Sequence, residues 1–370
     1  MKILSIAWYK IFPPEYGGQK GIALFNKYLA RHYPLICLCS KNNERAIDQG
    51  YKILPILPVH KFQFFHPGVI RKIRSIAEKE KITHIILEHP YHGLAAYFTR
   101  KATVVKIIIH AHNIESERFR KMGAWWWRIL RLYEKWVLKK SDLIAFKTNE
   151  DLSFAVSHYG AAPEKCMLLP YGIDPERKNP VPDAKTLIRE RHHISSQEKI
   201  LLFSGTLDIK TNANAVHAIF KKIVPLLSEN KFNYKVIITG RNHHPSFSYL
   251  TRLSHPSVIM AGEITDIENY FAAADVFINP VSETSGVQTK TIEALSYNLN
   301  VVSFCNTLNG IDKTLCSGKV FIAGKNNFND FANRITEATL TDAMATPVEF
   351  TNAYSFPACI EKFAARLKSL

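Results

Sequence analysis

The sequence predicts an α/β protein with two domains, each built on a parallel sheet of the Rossmann type. Short apolar segments alternate with helix-length amphipathic segments along the whole chain, which is the pattern of repeated βα units. The length of 370 residues exceeds the usual size of a single core. Near the middle, Leu168–Pro175 is followed by Pro180 and Pro182 in a charged stretch. Such punctuation is typical of a domain boundary.

Ten segments have the length and apolar content of strands, five in each half. Those of the first half are Lys2–Ala7, Pro34–Cys39, His84–Leu87, Val104–His110 and Leu143–Phe146. Those of the second half are Lys199–Ser204, Lys235–Thr239, Val258–Ala261, Val276–Asn279 and Asn300–Ser303. We therefore place the domains at residues 1–172 and 173–354, and a final helix at residues 355–370.

Composition narrows the class of protein. With 46% hydrophobic and 22% charged residues, the chain is neither disordered nor fibrous. The first apolar run, Met1–Trp8, is too short for a signal sequence and predicts a strand. The run Thr103–Ile109 is interrupted by Lys106 and falls far short of the roughly 20 residues that span a bilayer. Six scattered cysteines match no zinc or redox spacing, so we expect buried thiols and a cytoplasmic location.

The net charge of +16 is concentrated in the first half, where residues 1–174 carry +13. Such an excess predicts an anionic partner, either nucleic acid or an anionic membrane or lipid. Residues 118–140 mix cations with four tryptophans, the composition of a segment that docks at a membrane interface. The alternative is that Trp126, Leu130, Tyr133 and Val137 line the core, which helical periodicity permits. No nucleic-acid recognition module matches, so a membrane surface is favoured over nucleic acid.

One segment of the second half carries the most specific chemistry. After the strand Val276–Asn279, a turn of Ser285, Gly286, Val287 and Gln288 opens a helix whose N-terminus favours an anion. Lys290 and Glu293 lie three residues apart and share a helix face. A lysine can bind the diphosphate of a nucleotide, and a glutamate can accept hydrogen bonds from ribose hydroxyls. An ordinary surface ion pair is the alternative interpretation.

Other predicted strands also end in glycine. In the second half these ends carry Gly205 with Thr206 and Lys210, Gly240 with Arg241, and Gly262 with Ile264. Because parallel strands share one carboxyl edge, together they predict a nucleotide cleft. In the first half, Gly17 and Gly18 lie between a strand and a helix, where they can admit a phosphate or simply form a tight turn.

A histidine pair marks the carboxyl end of the strand Val104–His110. His112 and Asn113 follow that strand, where open α/β sheets place their ligands. His110 and His112 have a spacing compatible with a metal, but no third ligand follows at a fitting distance in sequence. We therefore expect no metal ion and no cofactor.

Taken in order, these segments resemble the retaining GT-B glycosyltransferases, which use nucleotide sugars. The resemblance rests on the Gly-Gly loop, His112-Asn113-Ile114-Glu115, Pro170-Tyr171-Gly172-Ile173-Asp174 and Gly205-Thr206-Leu207, and on the Gly286-x-x-x-Lys290-x-x-Glu293-Ala294 motif. It implies two Rossmann-like domains that face a central cleft, with the acceptor on the first, a UDP- or GDP-type sugar on the second, and the last helix packed back on the first domain. It also implies that Glu293 binds ribose, Lys290 the diphosphate, Gly17 and Gly18 the region near the phosphates, and His112 the donor sugar or its departing phosphate.

Two departures from the family pattern limit these roles. Many relatives carry a second glutamate where this chain has Ser285, and an arginine where it has Thr206. The absence of an Asp-x-Asp motif favours a metal-independent mechanism. The resemblance implies transfer to a glycan or lipid-linked glycan, in assembly of a bacterial-type surface polysaccharide at the inner face of the membrane. A nucleotide-sugar epimerase of the same fold and a catalytically silent paralogue remain the alternatives.

Overall fold

A computed structural model describes residues 1–14, 17–44, 50–228, 232–283, 286–342 and 344–370. It divides into two compact units. Unit 1 comprises Met1–Asp174 together with Tyr354–Leu370, and unit 2 comprises Pro175–Ala353. Among the described residues, no helix combines the length and the apolar composition needed to cross a membrane.

The described strands all pair in parallel and form one sheet in each unit. The strands of unit 1 are β1 Ile3–Ala7, β2 Leu35–Ser40, β3 Lys52–Leu57, β4 His84–Glu88, β5 Lys106–Ala111, β6 Leu143–Phe146 and β7 Cys166–Leu168. Their spatial order is β3-β2-β1-β4-β5-β6-β7. The strands of unit 2 are β8 Lys199–Ser204, β9 Tyr234–Thr239, β10 Val258–Gly262, β11 Val276–Asn279, β12 Asn300–Phe304 and β13 Val320–Ala323. Their order is β10-β9-β8-β11-β12-β13.

Helices connect these strands, as parallel pairing requires. Those of the first half are α1 Gly17–Ala30, α2 Pro67–Lys79, α3 Gly93–Ala102, α4 Glu115–Lys121, α5 Trp127–Lys140 and α6 Asn149–Phe154. Those of the second half are α7 Ala184–Arg191, α8 Lys210–Ala218, α9 Val224–Leu227, α10 Ile267–Ala273, α11 Thr289–Leu295, α12 Phe328–Leu340, α13 Val348–Ala353 and α14 Phe356–Lys368.

The last helix belongs to unit 1 although it ends the chain. Its buried residues Phe356, Ile360, Phe363 and Leu367 follow the 3.6-residue period and form one apolar stripe. That stripe packs on α1, where the rings of Phe25 and Phe363 lie 5.3 Å apart.

Each sheet is covered on both faces, which explains its nearly continuous apolar strands. In unit 1, one face packs α2 and α3 with residues such as Ile73 and Ala95, and the other packs α1 and α14. In unit 2, α8 and α12 cover one face through Val216 and Phe331. This arrangement leaves the carboxyl ends of the strands as the edge that can carry a site.

Three strands were not predicted, and each is short or lies at a sheet edge. β3 contains Pro55, which breaks the strand pattern but is tolerated at the edge of a sheet. β7 and β13 have only three and four residues. The prediction of buried thiols was wrong for Cys305, which is exposed, and for Cys166, which is only partly buried.

Candidate functional site

Three glycine-bearing strand ends of unit 2 meet at one sheet edge. Gly205, after β8, donates its backbone N–H to Thr239 O at 3.0 Å. Gly240, after β9, donates to the carbonyl oxygen of Gly262, the last residue of β10, at 2.7 Å. Gly240 has a φ of +145°, and a Cβ there would lie 1.9 Å from Gly205 O. Only glycine can therefore occupy this position without moving the neighbouring strand end.

A cavity of about 550 Å³ opens at this edge. Gly240 and Gly262 line it, with polar groups from Asn242 and His243 and an apolar wall that includes Met260. This volume and this mixture of apolar surface with a few polar groups are typical of small-ligand sites. Gly240, Gly262 and the lining residue Leu207 belong to motifs that the sequence indicated, whereas Asn242 and His243 follow no motif.

Lys290 and Glu293 lie on α11, which β11 positions through a buried hydrogen bond from Asn279 Nδ2 to Thr291 Oγ1 at 3.2 Å. Lys290 Nζ lies 2.7 Å from Glu293 Oε2, and both side chains are partly exposed. The two side chains thus form the i,i+3 pair that the alternative interpretation expected. Their roles toward a nucleotide stay a prediction.

The remaining predicted donor-site residues occupy different environments. Arg241 Nε contacts Asp208 Oδ2 at 2.8 Å, so its guanidinium already has an acidic partner. The side chain of Asn212 donates to Thr206 O at 2.9 Å and fixes the turn after β8. Lys210 is exposed at the first residue of α8, and Ile264 is partly buried after β10.

The turn before α11 is described only in part. Gly286, Val287 and Gln288 are partly buried, and Val287 O accepts a hydrogen bond from Thr289 N at 3.0 Å. Ser285 lies outside the described residues.

In unit 1, Gly17 and Gly18 are the first two residues of α1 rather than a separate turn. Gly18 is exposed and Gly17 is partly buried.

A buried cluster of charged and aromatic groups surrounds His112, at the carboxyl ends of β4 and β5. The Nε2 atom of His112 forms a hydrogen bond with Glu88 Oε2 at 2.7 Å. His110 Nδ1 lies 2.9 Å from the same oxygen, without hydrogen-bonding geometry. The His89 ring stacks on His112 with centroids 4.6 Å apart. Glu88 therefore orients His112 from the neighbouring strand.

A second carboxylate holds His89. Glu115 Oε1 lies 3.1 Å from His89 Nδ1, and its other oxygen accepts a hydrogen bond from Tyr91 OH at 2.6 Å. His89 has a positive φ of 71°, a conformation that costs about 1–3 kcal/mol for a non-glycine residue. Such strain is concentrated at functional sites.

Burial sets the charge state of the cluster. It lowers the pKa of His112 well below its ordinary value and that of His110 to about 3. It also lowers the pKa of Lys147, at the end of β6, to about 8. For Glu115, burial acts to raise the pKa, but His89 and Arg118 outweigh it and lower the pKa to about 2. His112 is thus a neutral hydrogen-bonding group at neutral pH.

The fold brings a third possible metal ligand beside His110 and His112, which spacing in the sequence did not indicate. One ligand atom each of Glu88, His110 and His112 lie within 4.8 Å of one another. Spacing did not indicate Glu88 because it is the last residue of a different strand, β4, 22 residues before His110, and β4–β5 pairing makes the two residues neighbours. The Glu88 carboxylate is hydrogen-bonded to His112, and the positive charge of Lys147 acts on the same ring. Both observations favour a hydrogen-bonded cluster over a cation site.

Comparison with protein families gives matches to both halves of the chain. Residues 17–177 match the model "Glycosyltransferase Family 4", and residues 198–340 match "Glycosyl transferases group 1". Together the two segments cover most of the sequence. The chain belongs to the GT-B glycosyltransferases. This confirms the resemblance to GT-B glycosyltransferases and the fold of two parallel-sheet α/β domains.

Individual relatives of this GT-B chain are distant. Lipopolysaccharide glucosyltransferase WaaG of Escherichia coli is 24% identical over 169 residues, which span 44% of either chain. A glycosyltransferase from Rickettsia africae superposes with a TM-score of 0.75 at 16% identity, over 100% of this chain and 98% of its own. HepE of Anabaena, solved in complex with UDP-glucose, superposes with a TM-score of 0.73 at 14% identity over 100% of both chains. At such identities the structures establish the GT-B fold.

Proposed function

We propose that this chain is an active retaining glycosyltransferase that moves a sugar from a nucleotide sugar to a glycan or lipid-linked glycan. The observation that carries the proposal is the edge of the unit 2 sheet. There Gly205, Gly240 and Gly262 bring backbone groups together beside a cavity of about 550 Å³. The HepE structure with UDP-glucose supports a nucleotide-sugar donor of the UDP type.

The donor is bound by unit 2 in this proposal. Lys290 contacts the diphosphate and stabilises the negative charge that grows on it as the glycosidic bond breaks. Glu293 accepts hydrogen bonds from the ribose hydroxyls. Both contacts require the Lys290–Glu293 pair at 2.7 Å to open. This costs little because an i,i+3 pair on a helix surface contributes only about 0.2–0.5 kcal/mol.

Unit 1 supplies His112 and binds the acceptor. His112 is neutral because of burial, and its Nε2–H donates to Glu88. The Nδ1 atom of the neutral ring can therefore accept a hydrogen bond from a hydroxyl of the donor sugar. Glu88, at 2.7 Å from His112, fixes the ring orientation. The acceptor hydroxyl attacks the face that the diphosphate leaves, so the configuration at the anomeric carbon is retained.

Protein cations take the place of a divalent ion in the proposed mechanism, which is metal-independent. The proposed location is the cytoplasmic face of a membrane, where lipid-linked sugars are found. Residues 118–140 carry eight cations and one carboxylate, Glu134, which is buried. Such a segment favours an anionic lipid surface.

A panel of UDP- and GDP-sugars, incubated with the purified protein and a chelator, tests the proposal. We expect release of the nucleoside diphosphate from one donor, and loss of donor binding in Glu293→Ala. Epimer formation without release of the diphosphate would instead identify an epimerase. Binding without turnover of any donor, with lipid-linked acceptors present, would identify a silent paralogue.

A further inference from the structure

Unit 1 contains a cavity of its own, which the residues around His112 other than Tyr91 do not line. It has a volume of about 530 Å³ and lies between the ends of β1 and β4, α5 and the short 3₁₀ helix Lys61–Phe64. All of its lining side chains are aromatic or aliphatic, and they include Trp8, Phe64, Tyr91, Trp126 and Leu130. A cavity lined in this way selects an apolar ligand.

The walls are preformed by ring contacts. The rings of Phe64 and Tyr91 stack with centroids 5.0 Å apart, and Trp8 meets both edge-on at 5.4 and 5.3 Å. On the other side, Phe119 and Trp126 lie 4.4 Å apart. Rigid walls reduce the entropy that binding would otherwise cost.

The polar ends of the lining tyrosines are occupied by protein partners. Tyr91 OH donates to Glu115 Oε2 at 2.6 Å, and Tyr133 OH donates to the backbone oxygen of Tyr91 at 2.9 Å. Among the described lining residues, the Trp8 indole N–H is the buried polar atom without a hydrogen-bond partner. The cavity therefore presents ring faces and methyl groups, and a polar ligand would lose its hydration there without compensation.

The mouth of the cavity is apolar as well. Phe62 is 83% exposed and Ile129 is 64% exposed, whereas Phe64 and Leu130 deeper in the cavity are at most 8% exposed. Large exposed apolar side chains around an apolar cavity mark an interaction site rather than ordinary surface.

Two cations of α5 are sequence neighbours of the residues that line the mouth. Arg128 is exposed and Arg131 is partly buried, on either side of Ile129 and Leu130 in the sequence. The nearest carboxylate on the helix, Glu134, is buried and accepts hydrogen bonds from the backbone N–H groups of Glu115 and Ser116. The charge at the mouth thus complements an anionic group attached to an apolar chain.

The cavity also connects to the candidate site of unit 1. Tyr91 lines the cavity and binds Glu115, which contacts His89, and His89 stacks on His112. Tyr91 thus joins the cavity wall to the cluster around His112.

We propose that this cavity binds the hydrocarbon chain of the lipid-linked acceptor, with Arg128 and Arg131 contacting its phosphate. The proposal rests on the proposed function, because that function makes the occupant an acceptor. It adds the chemical class of the acceptor: a phosphate ester of a long alkyl or isoprenoid chain.

A homologous series of n-alkyl phosphates, each kept below its micelle concentration, tests the proposal by calorimetry on the full chain without donor. The affinity should rise about four-fold for each added methylene until the cavity is filled. Inorganic phosphate should not bind measurably, and an uncharged alkyl glucoside should bind more weakly than the alkyl phosphate of equal length.

Variants at the exposed mouth avoid damage to the core. Ile129→Asp and Phe62→Asp should each weaken decyl phosphate binding at least ten-fold. Leu132→Asp is the matched control, because Leu132 is 72% exposed on the same helix but does not line the cavity. Its affinity for decyl phosphate should stay at the wild-type value.

Affinity independent of chain length, or an equal loss in Leu132→Asp, would overturn the proposal and indicate simple adsorption to the surface. Tighter binding of phenyl phosphate than of decyl phosphate would overturn it in favour of a small aromatic ligand. Donor turnover in the same preparations separates the two proposals. Turnover without chain-dependent binding refutes the cavity alone, and chain-dependent binding without turnover refutes the proposed function.

Discussion

Replacement of Gly240 by alanine should disrupt the proposed donor edge of unit 2. The new Cβ would lie 1.9 Å from Gly205 O, far inside van der Waals contact. The φ of +145° is also nearly exclusive to glycine and costs about 1–3 kcal/mol for another residue. Separation of the strand ends to relieve the clash adds an overpacking cost of about 1–3 kcal/mol. We expect unit 2 to lose about 2–6 kcal/mol of unfolding free energy.

Gly262 provides the matched control. It ends the neighbouring strand and has a φ of +70°, but nothing lies within 4 Å of the Cβ that alanine would add. Gly262→Ala should therefore cost only about 1–2 kcal/mol, the penalty of the left-handed conformation. The excess of about 2 kcal/mol for Gly240→Ala corresponds to a further drop in the melting temperature of roughly 4–8 °C for a domain of this size.

Thermal unfolding of both variants measures that difference, and titration with UDP-sugars follows the site in the same samples. Gly240→Ala should also bind the donor more weakly, because Gly240 lines the cavity. Equal destabilisation by the two substitutions would refute the reasoning, since it would mean that the approach of Gly240 to Gly205 O is not a tight constraint.

Three further predictions concern charge. Lys290→Ala should weaken donor binding by about 10- to 100-fold in calorimetry, the value of a charged hydrogen bond. Arg334→Ala is the control and should not weaken it, although Arg334 forms a similar i,i+3 pair with Glu337 at 2.7 Å. Equal donor affinities of the two variants would mean that Lys290 forms only a surface ion pair. Because the pKa of His110 is lowered to about 3, below pH 6.5 the unfolded chain binds a proton that the folded chain does not. The free energy of unfolding from urea titrations should therefore fall as the pH drops below 6.5, by up to about 1.4 kcal/mol per pH unit. His110→Gln should flatten that slope. Charge reversal of three α5 cations should lower partitioning to anionic vesicles by more than about 100-fold, and unchanged partitioning would contradict membrane docking. Those cations are Arg128, Arg131 and Lys135.

The fold was predictable because the spacing of apolar residues and the positions of glycine and proline determine local structure. Strands such as Val276–Asn279 were found at their observed bounds, since a fully buried parallel strand is a continuous apolar run. Edge strands have weaker sequence patterns. Pro55 in β3 argues against a strand unless the edge position of that strand is known. Val104, predicted to begin a strand, is 97% exposed before β5 begins at Lys106.

The candidate site was predictable where it follows a motif and not where it depends on packing. Lys290 and Glu293 share a helix face by spacing alone. Glu88 and His89 act on His112 from the neighbouring strand, and no pattern in the sequence joins them. The aromatic cavity was hidden for the same reason, because Trp8, Phe64 and Tyr91 come from separate segments. Within the Trp125–Trp127 segment, Trp126 lines the cavity whereas Trp125 is 84% exposed.

Proton NMR of the transfer product tests the central proposal most directly. The purified protein would be incubated with the donor that it binds and an alkyl phosphate-linked sugar, in the presence of a chelator. The account predicts release of the nucleoside diphosphate and a new glycoside whose anomeric configuration equals that of the donor. An inverted product, or no transfer from any donor to any acceptor of this class, would contradict it.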